Sequence, residues 1–596
     1  MWHRFWASRW CVPALVLLGM LLMAPAMNIG LVADDYIHWS IMTGQMHNAQ
    51  PGSHWGLFTF FDGDPAHNQA LKDSGRLIWW GSNDLRLSFW RPLSEMSLWL
   101  DYRFWPDSPL LMHVHNLLWY GLLVYMLSRL YRQLDPDADP AVSRLATWLF
   151  AGNVMHVFAV AWLSARNQMI SGVLLALSLC AFHAWRQGRG VKHAWWAAVT
   201  LAVGLLTAEA AIATVGYMVA YVVTMERGRS LWSRALALLP FVLIVLVWKA
   251  VHSHMGYGSF ASPAYIDPAS HLPRFAQSLV LRLPALMMAQ WFGASTGVFE
   301  QLPHPTQVAY AVTAIVVLSG LGLLIHRLGA LVSPLVRFYL LGSLFVLVPA
   351  CATLTMDRLV LNSNIGMSGF LAIVLCHVWA RRDQFKGWLL GGAKWVLYAM
   401  AAIHLVLFPV ASLASSVLLK GLLWPTTVGE PTSLPDARQL KAAHLILVNP
   451  PAAELVYYYP LARTFAGMAN PQSMQALATG NKAMTLTRVD EATLDLALPE
   501  GIKSTMARDE VTQPFKVGDT ATMGAIHVEV LAVTTPGQLP SKVRFHFPAS
   551  MNDPQWQFYA WKDTGYAPFE LPAVGQSVHL DAVDLGKMVA GRLKGK

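Results

Sequence analysis

Two adjacent carboxylates, Asp34 and Asp35, stand directly after an apolar stretch in Val32-Ala33-Asp34-Asp35-Tyr36. Charge beside lipid is costly, and where it persists it often works. The pair reads either as a solvated helix end or as a catalytic base or metal ligand at a membrane surface. More polar residues follow in Phe89-Trp90-Arg91-Pro92-Leu93, Asp101-Tyr102, His113, His115-Asn116, His156 and Ala161-Trp162-Leu163-Ser164-Ala165-Arg166. Glu209 and the pair Asp357-Arg358 complete the set. A positioned carboxylate can take the proton of a hydroxyl as that oxygen attacks, which makes Asp34 or Asp35 the candidate base. Arg91, Arg166 and Arg358 are the candidate cations among them. His113, His115, Asn116, His156, Glu209 and Asp357 are candidate substrate-binding groups. Nothing separates the two aspartates at this level, and close neighbours would titrate as a pair.

These residues need elements to hold them, and the composition says where those elements lie. Of 596 residues, 55% are hydrophobic and only 13% charged, against about 25% charged in soluble domains. One oversized core cannot absorb that deficit, because cores stop growing near about 250–300 residues. A lipid-facing surface does, and 25 Trp suit a chain with two membrane–water interfaces. A hydrocarbon core needs about 20 apolar residues per helix. The apolar runs 11–32, 112–130, 145–163, 168–185, 194–208, 210–225, 235–251, 308–326, 335–354, 366–380 and 391–416 predict about eleven crossings. The segment 275–293, interrupted by Arg282 and Pro284, reads as an amphipathic or re-entrant piece.

Every second connection is short and basic. Arg4 and Arg9 precede the first run, and Arg129, Arg132 and Arg144 flank the second loop. Arg186, Arg189 and Lys192, then Arg227, Arg229 and Arg234, then Arg327 and Arg337, then Arg381, Arg382 and Lys386 continue the pattern. The positive-inside rule places these connections and the N-terminus in the cytoplasm. The loop 33–110, the loop 252–307 and the tail then face outward, extracytoplasmic and periplasmic if the membrane is bacterial. The N-terminus also resembles a signal peptide ending near Ala26. The apolar run continues through Ile29-Gly30-Leu31-Val32, which favours an uncleaved helix. The net charge of +9 lies in these clusters; no basic stripe with interleaved aromatics points to nucleic acid. Cys11, Cys180, Cys351 and Cys376 show no metal-ligand or disulfide spacing.

The fold class that follows is mainly α: a polytopic transmembrane bundle over 1–420, then a small β-containing extracytoplasmic domain over 421–596. His444-Leu445-Ile446-Leu447-Val448, Ile526-His527-Val528-Glu529-Val530 and Val543-Arg544-Phe545-His546-Phe547 carry the strand pattern of that domain. Its Tyr457-Tyr458-Tyr459 and Trp556-Gln557-Phe558-Tyr559-Ala560-Trp561 read as core, or alternatively as a platform for stacking sugars.

In their order, Asp-Asp-Tyr at 34–36, Arg-Pro-Leu at 91–93, His113-x-x-Asn116, His156 followed by Ala161-Trp162-x-Ser164-x-Arg166, and the Asp357-Arg358 turn resemble the membrane glycosyltransferases of the GT-C superfamily. The branch is the one related to protein O-mannosyltransferases and to the tetratricopeptide-containing transmembrane mannosyltransferases. The resemblance covers roughly residues 10–385. It implies a polyprenyl-phosphate-linked sugar donor, a hydroxyl-bearing glycan, lipid or protein acceptor, and inverting transfer on the outer face with Asp34 or Asp35 as base; Arg91, Arg166 and Arg358, whose guanidinium groups match phosphate oxygens in bidentate fashion, are then the expected phosphate cations. A divalent metal is compatible with that chemistry and not required by it. The chain also departs from the pattern. Asn153-Val154-Met155-His156-Val157-Phe158 stands where the relatives show His-Pro-x-His-x-Glu, Gln168 replaces an acidic residue, and Ala208-Glu209 replaces Lys-Glu. These losses keep two alternatives open: a non-catalytic glycan-binding scaffold, and a lipid or solute transporter.

Overall fold

The computed structural model describes residues 6, 8–46, 55–297, 299–385, 388–427, 443–562, 565–584 and 586–587. Arg4 and Lys386 of the basic clusters lie outside them. The chain divides into two compact units. One comprises Met1–Gly30, Trp90–Gly256 and Ile266–Leu418; the other comprises Leu31–Phe89, Tyr257–Tyr265 and Leu419–Lys596. Much of the first long loop, including both aspartates, therefore belongs to the unit that contains the tail.

The first unit is helical, and a helix follows at each of the eleven predicted runs. Among the described residues, seven helices are long and apolar enough to cross a membrane: Cys11–Asn28, Pro109–Leu134, Leu163–Arg186, Leu231–His254, His304–Arg327, Ser363–Ala380 and Gly391–Lys420. Pro140–Ala151 and Val154–Ala161 form a pair bent by 49° that would make an eighth. The cause of the bend is local. Asn153 leaves the helical region and its side chain caps Met155 N at 3.0 Å, starting the next turn afresh. Lys192–Leu205, Glu209–Thr224 and Pro334–Ala350 are shorter. At about 1.5 Å per residue, the 17 residues of Pro334–Ala350 reach about 26 Å, against a hydrocarbon core of about 30 Å. The chain is thus a multi-pass integral membrane protein. The segment predicted as re-entrant is a helix, Leu272–Phe292, with Pro284 inside it, and it is not among the seven.

Small residues let these helices touch where no hydrophobic driving force between helices exists in lipid. A Cβ placed on Gly366 would lie 2.4 Å from the Tyr339 carbonyl oxygen, and one on Gly369 2.7 Å from the Tyr339 ring. Tyr217 Oη, buried between the same helices, accepts from Gly366 N at 2.7 Å.

The second unit holds the strands among the described residues. β1 (Thr59–Asp62), β2 (Arg86–Ser88) and β3 (Gly258–Phe260) form an antiparallel sheet from two separate loops. In the tail, β4 (His444–Leu447) and β5 (Ser473–Ala476) run parallel beside β11 (Trp556–Lys562) and β12 (Gly565–Pro568), in the order β12-β11-β4-β5. A six-stranded sheet has the order β13-β6-β7-β10-β9-β8, with β6 Met484–Arg488, β7 Thr493–Ala497, β8 Thr520–Met523, β9 Ile526–Val533, β10 Pro540–His546 and β13 Ser577–Leu580. The three predicted strand segments fall on β4, β9 and β10. Leu486, Leu494, Leu496, Val528, Val543 and Phe545 are buried at alternate positions to make one core. Trp79 and Trp80 from the first loop are buried in that core, and Trp79 Nε1 donates to the Leu477 carbonyl at 2.9 Å.

Parallel neighbours require a crossover. Between β4 and β5 the crossover carries the helix Tyr458–Phe465, whose Phe465 meets the rings of Tyr36 and Trp39 edge-on at 5.8 and 5.1 Å. This packing joins the helix Asp34–Met42 to the tail and positions the two aspartates.

Candidate functional site

Asp34 and Asp35 open the helix Asp34–Met42, where negative charge suits the helix dipole. Asp35 N donates to the Val32 carbonyl at 3.0 Å, closing a four-residue turn. Ala33 occupies its first central position at φ 46°, ψ −115°, the geometry of a type II′ turn in which glycine is favoured. A non-glycine residue there is strained, and such strain tends to sit where presentation matters. The Asp35 side chain returns to the same turn, its Oδ2 accepting from Val32 N at 3.1 Å, and the residue is 0% exposed. Asp34, one position earlier, is half-buried. Tyr458 Oη donates to its Oδ1 at 2.7 Å. Burial and the charge of Asp34 push the Tyr458 phenol well above its ordinary range, so it keeps the proton it donates. The two neighbours thus do different things: Asp35 latches the turn, and the half-buried Asp34 accepts from Tyr458.

In the helical unit, the helix Pro92–Phe104 docks by its N-terminus. Leu93 N donates to the Leu206 carbonyl at 3.2 Å and Ser94 Oγ to the Thr207 carbonyl at 2.8 Å. That places Arg91 against Glu209, with Nε and Nη2 at 2.8 and 2.7 Å from Oε2. Glu209 Oε1 is buried and has no hydrogen-bond partner among the described residues. Such an acceptor calls for an explanation, and a ligand hydroxyl is one.

The inward face of the same helix carries Ser94, Ser97 and Asp101, spaced for one helical side. Here the structure gathers a cluster. Arg166 is 1% exposed and Asp101 0%. Arg166 Nη2 pairs with Asp101 and donates to the Met112 carbonyl at 3.1 Å. Its Nη1 donates to the Ser97 carbonyl at 3.1 Å, and its Nε to Asn116 Oδ1 at 2.5 Å. His115 Nδ1 donates to Asp101 Oδ1 at 2.6 Å while its Nε2 accepts from Trp119 Nε1 at 3.1 Å, which fixes one neutral tautomer. Asn116 Nδ2 donates to the Val160 carbonyl at 3.0 Å. Arg166, His115 and Asn116 therefore come together as a closed network. Arg166, read from sequence as a phosphate cation, spends its donors inside the bundle, because a guanidinium in low dielectric needs every one satisfied. Asp101, Ser97 and Trp119 complete this network and were missed as site residues. Their signal was the run of small polar residues at helical spacing on one face.

The other expected groups lie apart. His113 Nε2 donates to the Gly30 carbonyl at 2.8 Å. His156 is 0% exposed, with Nδ1 at 3.2 Å from Tyr120 Oη and Nε2 accepting from Asn364 Nδ2 at 3.0 Å. Both ring nitrogens are used within the bundle, so the structure gives no contact of His156 with a ligand-facing surface. Asp357 caps the loop at 295–296, accepting from Thr296 N at 2.7 Å and Ser295 Oγ at 2.8 Å. Arg358 is half-buried, its guanidinium 4.9 Å over the Trp162 ring. With its amide oriented to satisfy both neighbours, Gln168 bonds the Arg358 carbonyl and Nη1, each at 2.9 Å. The amide binds this guanidinium without adding a negative charge.

Tyr459, Trp556, Phe558, Tyr559 and Trp561 are buried and belong to the core of the tail, so they form no open stacking platform. The pairs Asp101–Arg166, Arg91–Glu209 and Arg186–Glu226 lie at helix ends rather than in the middle of spans, unlike the midplane charges of transporters. Among the described residues, no group of three or more His, Cys, Asp or Glu is placed to hold a metal ion.

No family model matches the chain, and no curated protein matches its sequence. Two solved structures are similar in part. The apo oligosaccharyltransferase of Archaeoglobus fulgidus aligns over 80% of this chain and 66% of its own, just under two thirds, with 9% identity and a TM-score of 0.37. Apo ArnT of Cupriavidus metallidurans aligns over 77% of this chain and 89% of its own, with 12% identity and a TM-score of 0.34. Both TM-scores fall below 0.5, so neither likeness bears on what this chain does.

Proposed function

We infer that the protein is a membrane glycosyltransferase that moves a sugar from a polyprenyl-phosphate donor to a hydroxyl of a glycan, lipid or protein on the outer face of the membrane. The observation that supports this reading is the presentation of Asp34: a half-buried carboxylate on a strained II′ turn, accepting from Tyr458, beside a buried Asp35 that holds the turn. Asp34 is then the base. The acceptor oxygen attacks the anomeric carbon, its proton passes to Asp34, and the bond from that carbon to the lipid phosphate breaks. The lipid phosphate leaves as an anion and the anomeric configuration inverts. The growing charge on the phosphate calls for fixed cations. The N-terminus is cytoplasmic in this reading, by the charge of the short loops.

The test is to incubate the purified full-length protein with a panel of polyprenyl-phosphate sugars and alcohol-bearing acceptors. Sugar transfer with release of polyprenyl phosphate is expected from at least one donor. Well-folded protein that releases none would refute the assignment.

A further inference from the structure

At the end of the helical unit where basic residues collect, a cavity of ≈ 390 Å³ lies between the close of Ala213–Thr224, the close of His304–Arg327 and the start of Pro334–Ala350. Ligand pockets typically begin at about 300 Å³. Arg227, His326 and Arg337 line it, together with an apolar wall that includes Val223, Leu340 and Leu341. None of its lining residues is acidic.

The two loops that build it are latched. Glu226, next to Arg227, is engaged by Arg186, whose Nε and Nη2 reach it at 2.5 and 2.8 Å, and Arg229 Nη2 donates to the Arg186 carbonyl at 2.8 Å. On the facing loop, His377 Nε2 donates to the Leu328 carbonyl at 3.1 Å and Arg337 Nε to the Leu331 carbonyl at 2.8 Å. The carboxylate that neighbours Arg227 in sequence is thus engaged by another arginine, and Arg337 is held to its own loop. Val223 and Val332 at the margin are 48% and 72% exposed, so the apolar wall continues onto the outer surface of the bundle, where acyl chains lie.

We propose that this cavity binds an anionic glycerophospholipid, its phosphate between Arg227 and Arg337 and an acyl chain along Val223, Leu340 and Leu341. A free phosphate would satisfy the arginines and leave the apolar wall bare. A zwitterionic lipid would fill the wall but bring a second cation to a cationic lining. Basic pockets at helix ends on the cytoplasmic side are where acidic headgroups concentrate, at about 1 kcal/mol per arginine. The proposal does not depend on glycosyl transfer, and its test does not read activity.

The full-length protein in neutral detergent is titrated with phosphatidylglycerol and, in parallel, with phosphatidylcholine, a polyprenyl phosphate and inorganic phosphate, and bound species are counted by native mass spectrometry. Phosphatidylglycerol should bind most tightly. The Arg227→Ala/Arg337→Ala protein should bind it roughly tenfold to thirtyfold more weakly, and Leu340→Trp, which fills the wall and keeps both charges, should also weaken it. Arg381→Ala, a change at an exposed basic residue outside the cavity lining, should leave it unchanged. Equal binding of phosphatidylcholine, preference for polyprenyl phosphate, competition by inorganic phosphate alone, or undiminished binding by both cavity variants would each overturn the proposal.

Discussion

Two polar centres of this protein solve opposite problems. The Arg166 cluster sits in the helical unit with every group answered: Asp101, Asn116, Ser97 and the Met112 carbonyl take the guanidinium donors, and Trp119 fixes the His115 ring. The Asp34 turn accepts backbone strain at Ala33 and leaves its leading carboxylate half-buried. Low dielectric punishes an unsatisfied charge, so a closed network stabilises a bundle and is a poor place for chemistry. A held, reachable carboxylate gives up some stability and can act. Residue type alone does not distinguish the two centres; what each side chain already touches does.

The variants that separate the centres differ in what they should damage. Asp34→Asn has the largest expected effect: transfer should fall about 10²–10⁴-fold, the usual worth of a general base, with membrane insertion and melting temperature unchanged. Asp101→Asn should do the reverse, destabilising by about 3–5 kcal/mol because it strands the Arg166 charge; this is read as lost yield or a lowered unfolding midpoint. Tyr458→Phe removes one hydrogen bond to a charged partner, worth about 1.5–3 kcal/mol, and should slow transfer more than it lowers stability. Ala33→Gly should be mildest, stabilising by about 1 kcal/mol as the strained φ is relieved. A stable, inactive Asp101→Asn protein would collapse the distinction between the centres.

Much of the helical unit was legible because apolar runs of membrane length announce themselves. The strands β4, β9 and β10 were legible from alternation. The allocation of 31–89 to the unit containing the tail was not, since it rests on contacts such as Asp34–Tyr458 and Trp79–Leu477, about 400 residues apart in sequence. For the same reason, Tyr458 showed in the sequence only as part of an aromatic triplet and not as a partner for Asp34. The partner of Arg166 was not legible either, because its motif shows the cation but not its pairing with Asp101, 65 positions earlier. Burial and the turn, which separate Asp34 from Asp35 in the structure, are invisible in the sequence.

The most direct measurement compares polyprenyl-phosphate release by Asp34→Ala and Asp35→Asn proteins, with and without added formate. The Asp34→Ala protein should be inactive, destabilised only by about the 1.5–3 kcal/mol of the lost Tyr458 hydrogen bond, and partly restored by formate. The Asp35→Asn protein should melt earlier and gain nothing from formate. Wild-type release by Asp34→Ala, or formate rescue confined to a variant at position 35, would contradict the assignment of Asp34 as the base.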